Sequence, residues 1–114
     1  MTFDDVCDIT LAWPGVERGT SYGTPAVKVK GKLLTRLRED GETLVVLGVG
    51  FDEREMLIEA EPEIFHLTSH YRDWPIVLMH LAKADPRAVE ALLLRRWRAV
   101  APKRLVKAFD VAKG

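Results

Sequence analysis

The run Ile76-Val77-Leu78-Met79-His80-Leu81 is the strongest constraint in the chain, because it is apolar at nearly every position. A strand wetted on one face alternates apolar and polar residues, whereas this run has no polar face and needs cover on both sides. It belongs in the interior of a sheet. At 114 residues the chain can bury one such core but not two, so residues 1–114 are expected to form a single domain.

The remaining elements follow from local signals. Thr2 and Asp5 have the spacing of a capping box with Asp in place of Glu, and Phe3, Val6, Ile9 and Leu11 continue it as a helix over about residues 3–12. Trp13-Pro14-Gly15 stops that helix, since the residue before a proline is driven out of the helical region. Strands are expected over 25–30, 32–38 and 43–49, with an Asp-Gly hairpin signal at Asp40-Gly41. Asp52 is positioned to cap a short helix reaching Ala60, with Met56, Leu57 and Ala60 inward, before Glu61-Pro62 breaks it. Ile64–Leu67 and Ile76–Leu81 read as two more strands. Asp85-Pro86 gives an N-cap and a first-turn proline, followed by Val89, Leu92, Leu93, Trp97 and Val100 at helical spacing. Ala101-Pro102 separates a last short helix bearing Leu105, Val106 and Phe109. The order α-β-β-β-α-β-β-α-α predicts an α+β domain with a largely antiparallel, five-stranded sheet packed by helices.

Parity makes the first hairpin specific. Pairing Val29 with Leu33 and Val27 with Thr35 gathers apolar side chains on one face and leaves Lys28, Lys30 and Arg36 outward. A two-residue loop would set Val29 against Lys32 and mix the faces, so a loop of odd length is expected.

Charge is balanced in number and uneven in place. The 17 basic and 17 acidic residues cancel, yet Arg18–Arg38 holds six cations and no acid, and Ala91–Phe109 holds another six and no acid. Glu39–Glu63 holds nine acids and one base, Arg54. Such segregation allows a polarised surface. The single cysteine, Cys7, excludes an intramolecular disulfide and fits a reducing compartment. No apolar run follows a basic N-terminal stretch and none approaches the roughly 20 residues of a membrane helix, so a cytoplasmic protein without a membrane partner is expected.

Residues with chemical potential cluster in HLTSHYRDWP, residues 66–75. His66 and His70 have a four-residue spacing that ligates zinc on a helix, but here they span a strand end and a loop, with no third Cys or His near in sequence. No metal or cofactor is expected. Cys7 sits beside Asp5 and Asp8, whose charges oppose a thiolate, and reads as a buried inert thiol. Ser21 lacks the strand–turn–helix setting of a nucleophile elbow, and Gly19–Gly23 is not a phosphate loop because no Gly-Lys-Ser/Thr follows. His70, Tyr71, Arg72 and Trp74 form a candidate recognition rim, with large amphipathic rings beside a cation. Lys28, Lys30, Lys32, Arg36 and Arg38 on the hairpin, with Arg95, Arg98, Lys103, Arg104 and Lys107 near the C-terminus, are the candidate nucleic-acid contacts. The sequence pI of about 6.8 is low against the ~9 of a dedicated nucleic-acid domain.

Three stretches, LAWPGVERGTSYGTPAVKVKGKLLTRL, EAEPEIFHLTSHYRDWPIVLMHL and LLLRRWRAVAPKRLVKAF, resemble the MmcQ/YjbR family over nearly the whole chain. The resemblance implies a small α+β fold similar to secretion chaperones and frataxin-like proteins, of the type called a double-wing domain, for which DNA binding has been proposed. Ser69 departs from the proline expected after Thr68, which implies a less rigid loop.

The expectation is a non-catalytic binding module with DNA as its leading partner. The alternative is a protein-partner adaptor that uses the acidic Glu39–Glu63 surface and the aromatic rim. A small-molecule enzyme built on His70, Tyr71 and Arg72 is a third reading, with no triad, metal set or cofactor loop behind it.

Overall fold

Two tight turns build the first half of the fold. In the computed structural model, which describes residues 1–113, strands β1 (Val16–Ser21) and β2 (Thr24–Val29) are joined by Tyr22-Gly23, with φ of 52° and 76°. Strand β2 meets β3 (Lys32–Leu37) through Lys30-Gly31, with φ of 49° and 83°. Consecutive positive φ values are the mark of the two-residue turn whose twist matches paired strands, and glycine takes the second position at no steric cost.

Strand β4 (Thr43–Leu47) follows, then helix α2 (Phe51–Ala60), strand β5 (Phe65–His66), a single 3₁₀ turn at Ser69–Tyr71, and strand β6 (Ile76–His80). Helix α1 (Phe3–Thr10) precedes the sheet, and helices α3 (Pro86–Val100) and α4 (Lys103–Lys113) close the chain. The sheet runs β1-β2-β3-β4-β6-β5, antiparallel throughout. It has six strands rather than five. The additional one is β1, an edge strand in which only Val16 is buried, so it carries no alternating apolar pattern. Strand β6 lies inside the sheet, with Val77, Leu78 and Met79 fully buried, as its unbroken apolar run requires.

The hairpin register departs from expectation in an instructive way. Val27 pairs with Thr35 as parity suggests, but Val29 pairs with Lys32 and Lys28 with Leu33, through the two-residue turn that parity disfavours. The two registers coexist because β3 carries one extra residue, Leu34, between Leu33 and Thr35. This bulge lets Leu34 enter the core and switches the face of everything beyond it. Arg36, expected to point outward, is 7% exposed and buried instead.

Helices α1, α3 and α4 cover one face of the sheet. Its core includes Val6, Val27, Val29, Leu44, Met79 and Leu93 around Trp97, whose indole N–H donates to the Pro14 carbonyl at 3.1 Å. The Thr2/Asp5 capping box and the Asp85 cap with Pro86 in the first turn both form as expected. Helix α2 differs: Gly50 is its N-cap, Asp52 lies in the first turn without capping, and Met56 and Ala60 are exposed. Its inward side chain is Arg54, with Leu57 and Ile58 half-buried. No helix among the described residues is long and apolar enough to cross a membrane.

Candidate functional site

Among the described residues no α-helix lies across the second face of the sheet, which is covered in part by the loop before β6 and its 3₁₀ turn. Val45 and Leu78 pair across β4 and β6 and pack with Tyr71, forming a small apolar cluster edged by Leu47, Leu67 and Ile76. Around it opens a groove of about 570 Å³, floored by Val45, Leu47 and Ile76 and walled by Tyr22, Trp74 and Arg36.

The loop before β6 is held over this face by Arg54. Its guanidinium donates to the carbonyls of Trp74 at 2.8 Å, Arg72 at 2.9 Å, Ile76 at 3.2 Å and Tyr71 at 3.4 Å. One buried cation therefore satisfies the backbone of a segment that has little regular structure of its own. In sequence this arginine is the lone base among nine acids, which looks like a solvated helix face; its role was not legible there.

The loop splits the expected rim. Tyr71 is 7% exposed and turns inward, while Trp74 is 61% exposed and His70 and Arg72 are exposed beside it. Tyr22, from the β1–β2 turn, adds a ring 86% exposed that the sequence reading did not include. Its place directly before Gly23, in the pair that makes the two-residue turn, is the sequence signal that could have found it.

Arg36 is the charged centre of this face. Its Nη2 donates to the Tyr71 hydroxyl at 2.5 Å, and its guanidinium lies under the Tyr22 ring, 5.4 Å from the centroid. Its Nη1 has longer contacts of 3.5 Å to the Thr24 hydroxyl, the Leu37 carbonyl and Glu39 Oε1. Glu39 is the only carboxylate paired with it among the described residues, and that side chain is 64% exposed. Glu39's pKa is held below the usual carboxylate range first by its own backbone N–H; burial opposes this, and Arg36 and Arg38 each add a smaller lowering effect.

The other expected cations divide into two groups. Arg95 makes a two-bond ion pair with Glu53 on α2, at 2.7 and 2.9 Å, and Arg98 does the same with Asp110 at 2.7 and 3.2 Å. Arg38 lies over the Tyr71 ring, 5.7 Å from its centroid. Arg95 and Arg98 are thus committed within the chain, whereas the Arg38 side chain has the ring contact and its buried Nε lacks a hydrogen-bond partner among the described residues. The side chains of Lys28, Lys30, Lys32, Lys103, Arg104 and Lys107 form no hydrogen bond or ion pair among the described residues, although Glu17 stands opposite Lys28 across β1 and β2.

The hairpin tip and α4 approach each other at Gly15. A Cβ on Gly15 would lie 2.7 Å from Leu105 Cδ1 on α4 and 3.5 Å from Lys30 Cε at the hairpin tip. Arg96 of α3 donates to the Leu33 carbonyl at 3.1 Å, joining the helix to the same hairpin. Helix α2, with its acids, packs instead against β5 and β6 at the other side of the sheet.

The histidines form no ligand set. His66 and His80 stack at 4.1 Å, while His70 meets the Tyr71 ring edge-on. No group of three or more His, Cys, Asp or Glu side chains among the described residues is arranged to hold a metal ion. Burial lowers the His66 pKa, with His80 and Arg38 acting in the same direction. Cys7 is buried, and burial pushes its thiol pKa up.

The architecture is therefore that of a small α+β domain with one sheet face closed by helices and the other covered only in part, by the loop before β6. The chain belongs to the YjbR family, whose profile matches residues 11–99. The Mycobacterium tuberculosis proteins Rv2570 and MT2646 and the Mycobacterium bovis protein Mb2600 are each 33% identical to it over 97 residues. The match covers 82% of this chain and 75% of each relative, and all three relatives are described as uncharacterized proteins. No solved structure matches the chain significantly.

Proposed function

We propose that the chain is a non-catalytic binding module whose basic pole contacts the phosphate backbone of duplex DNA. Lys30 and Lys32 on the hairpin and Lys103, Arg104 and Lys107 on α4 are the contacting residues. The observation that carries this reading is the convergence of Lys30 and Leu105 on Gly15, which brings the hairpin tip beside α4. Cations without internal partners are free to exchange condensed counterions for phosphate, whereas Arg95 and Arg98 are occupied at home. The contacts are to backbone rather than base edges, so binding is weakly dependent on sequence.

The test is fluorescence anisotropy of a labelled duplex with the parent and with a variant carrying alanine at Lys30, Lys32, Lys103 and Lys107. All four side chains are exposed, so the fold is expected to survive. The variant should bind at least about tenfold more weakly at low salt, since each lost phosphate contact removes a share of the counterion release. Equal binding by both proteins would overturn the reading.

A protein-partner adaptor is the second reading, favoured by the exposed Trp74 and Tyr22 and by the acids of α2. It requires the four-lysine variant to behave like the parent in partner capture, while changes at Trp74 or on α2 abolish it.

A further inference from the structure

The open sheet face combines features that the DNA reading does not use. Arg36 is a guanidinium whose side chain is 8% exposed, yet it has one distant carboxylate for a partner. A buried cation is strongly stabilised by a well-placed anion and poorly by one at 3.5 Å on an exposed side chain. Beside it, Val45, Leu47 and Ile76 form an apolar floor, and Tyr22 and Trp74 are largely exposed rings at its rim. A volume of about 570 Å³ falls within the roughly 300–1,000 Å³ of small-molecule sites.

Charge complementarity selects the occupant. The groove offers one guanidinium, that of Arg36, loosely paired with Glu39; its other polar groups are the Tyr71 and Tyr22 hydroxyls and the His70 imidazole, and the rest of its lining is apolar and aromatic. A polyanion such as a nucleotide triphosphate would leave most of its charge unpaired there, and an uncharged ligand would leave Arg36 with no better partner than before. A single carboxylate on a flat apolar body matches both parts. Glu39 shows the geometry: its carboxylate already sits at the edge of the guanidinium from the solvent side and can swing away.

We infer that the open face of the sheet binds a small planar monocarboxylate, whose carboxylate replaces Glu39 on Arg36 and whose flat body lies on the Val45–Leu47–Ile76 floor against Tyr22 and Trp74. The site is separate from the basic pole, and its failure would leave the DNA reading untouched.

The experiment is an NMR titration of the full chain with 2-naphthoate, using 2-naphthalenemethanol as the uncharged analogue. Backbone amide shifts at Val45, Leu47 and Ile76 locate the site. The carboxylate should bind with Kd below about 1 mM, and the alcohol about tenfold more weakly, because it cannot form a charge-assisted pair. Glu39→Gln removes the internal competitor at an exposed position and should tighten naphthoate binding by about three- to tenfold. Trp74→Ala should weaken it by about fivefold through the lost ring contact. Equal binding of acid and alcohol would reduce the face to an apolar patch and overturn the inference. So would weaker binding by the Glu39→Gln variant, or no shift in either protein at 5-fold the expected Kd, about 5 mM.

Discussion

Replacing Arg54 by Met tests whether one buried cation holds the loop above the groove. Methionine keeps most of the length and fills the space, so the change isolates the hydrogen bonds from the packing. Two of the four carbonyl contacts are short, at 2.8 and 2.9 Å, and two are long, at 3.2 and 3.4 Å. Charge-assisted bonds contribute about 1.5–3 kcal/mol each, and the carbonyls released lie where water partly reaches them, so the short pair is taken at the low end and the long pair at little. Removing the guanidinium also removes the cost of burying a cation without a carboxylate, which offsets part of the loss. The expected net destabilisation is about 2–3 kcal/mol. Urea unfolding followed by far-UV circular dichroism measures it as a lower midpoint with an unchanged slope. Limited proteolysis between Thr68 and Pro75 should accelerate, since the loop loses its anchor before the sheet does. Arg54→Lys should fall between parent and Met variant, because one ammonium cannot reach four carbonyls spread over a fork. A Met variant within about 0.5 kcal/mol of the parent would refute the assignment.

Gly15→Ala should cost at least about 1–2 kcal/mol from its left-handed φ of 76°, and more if Leu105 cannot retreat from a methyl 2.7 Å away; a melting curve matching the parent's would contradict that contact. Stability should also fall as pH drops below about 6.5. His66 has a lowered pKa in the fold, so the unfolded chain binds a proton that the native state excludes, and stability is full above the unfolded value and declines through the folded one. His66→Gln should flatten that decline between about pH 7 and 5, a window above the titration of ordinary carboxylates, and an unchanged pH profile would place the effect elsewhere.

What could be read from the sequence was what is decided locally. The Thr2/Asp5 box and the Asp85-Pro86 helix start depend on residues within one turn, and both form. The β6 run was legible because burial on both faces leaves a continuous apolar signature. Strand β1 was not, because an edge strand with one buried side chain is held by its backbone pairing to β2 and needs no apolar pattern. The bulge at Leu34 was hidden for a different reason. Both the short turn and the parity-matched pairing are individually favourable, and only a tertiary core that accepts Leu34 lets them coexist. That one inserted residue carries Arg36 from the solvent to the centre of the open face. Arg54 was missed because its partners are carbonyls 17 to 22 residues away, which no spacing rule reports.

The central claim, that the hairpin and α4 act as one phosphate-binding pole, is tested most directly by the salt dependence of duplex binding. With three to five contacts from Lys30, Lys32, Lys103, Arg104 and Lys107, the slope of log affinity against log salt should be roughly −3 to −4.5. Alanine at Lys30 and Lys32 together should make it shallower by about 1.8 units, two contacts' worth, without altering the urea midpoint. A parent slope near zero, or no duplex binding below about 100 μM at low salt where non-specific binders already saturate, would contradict the claim.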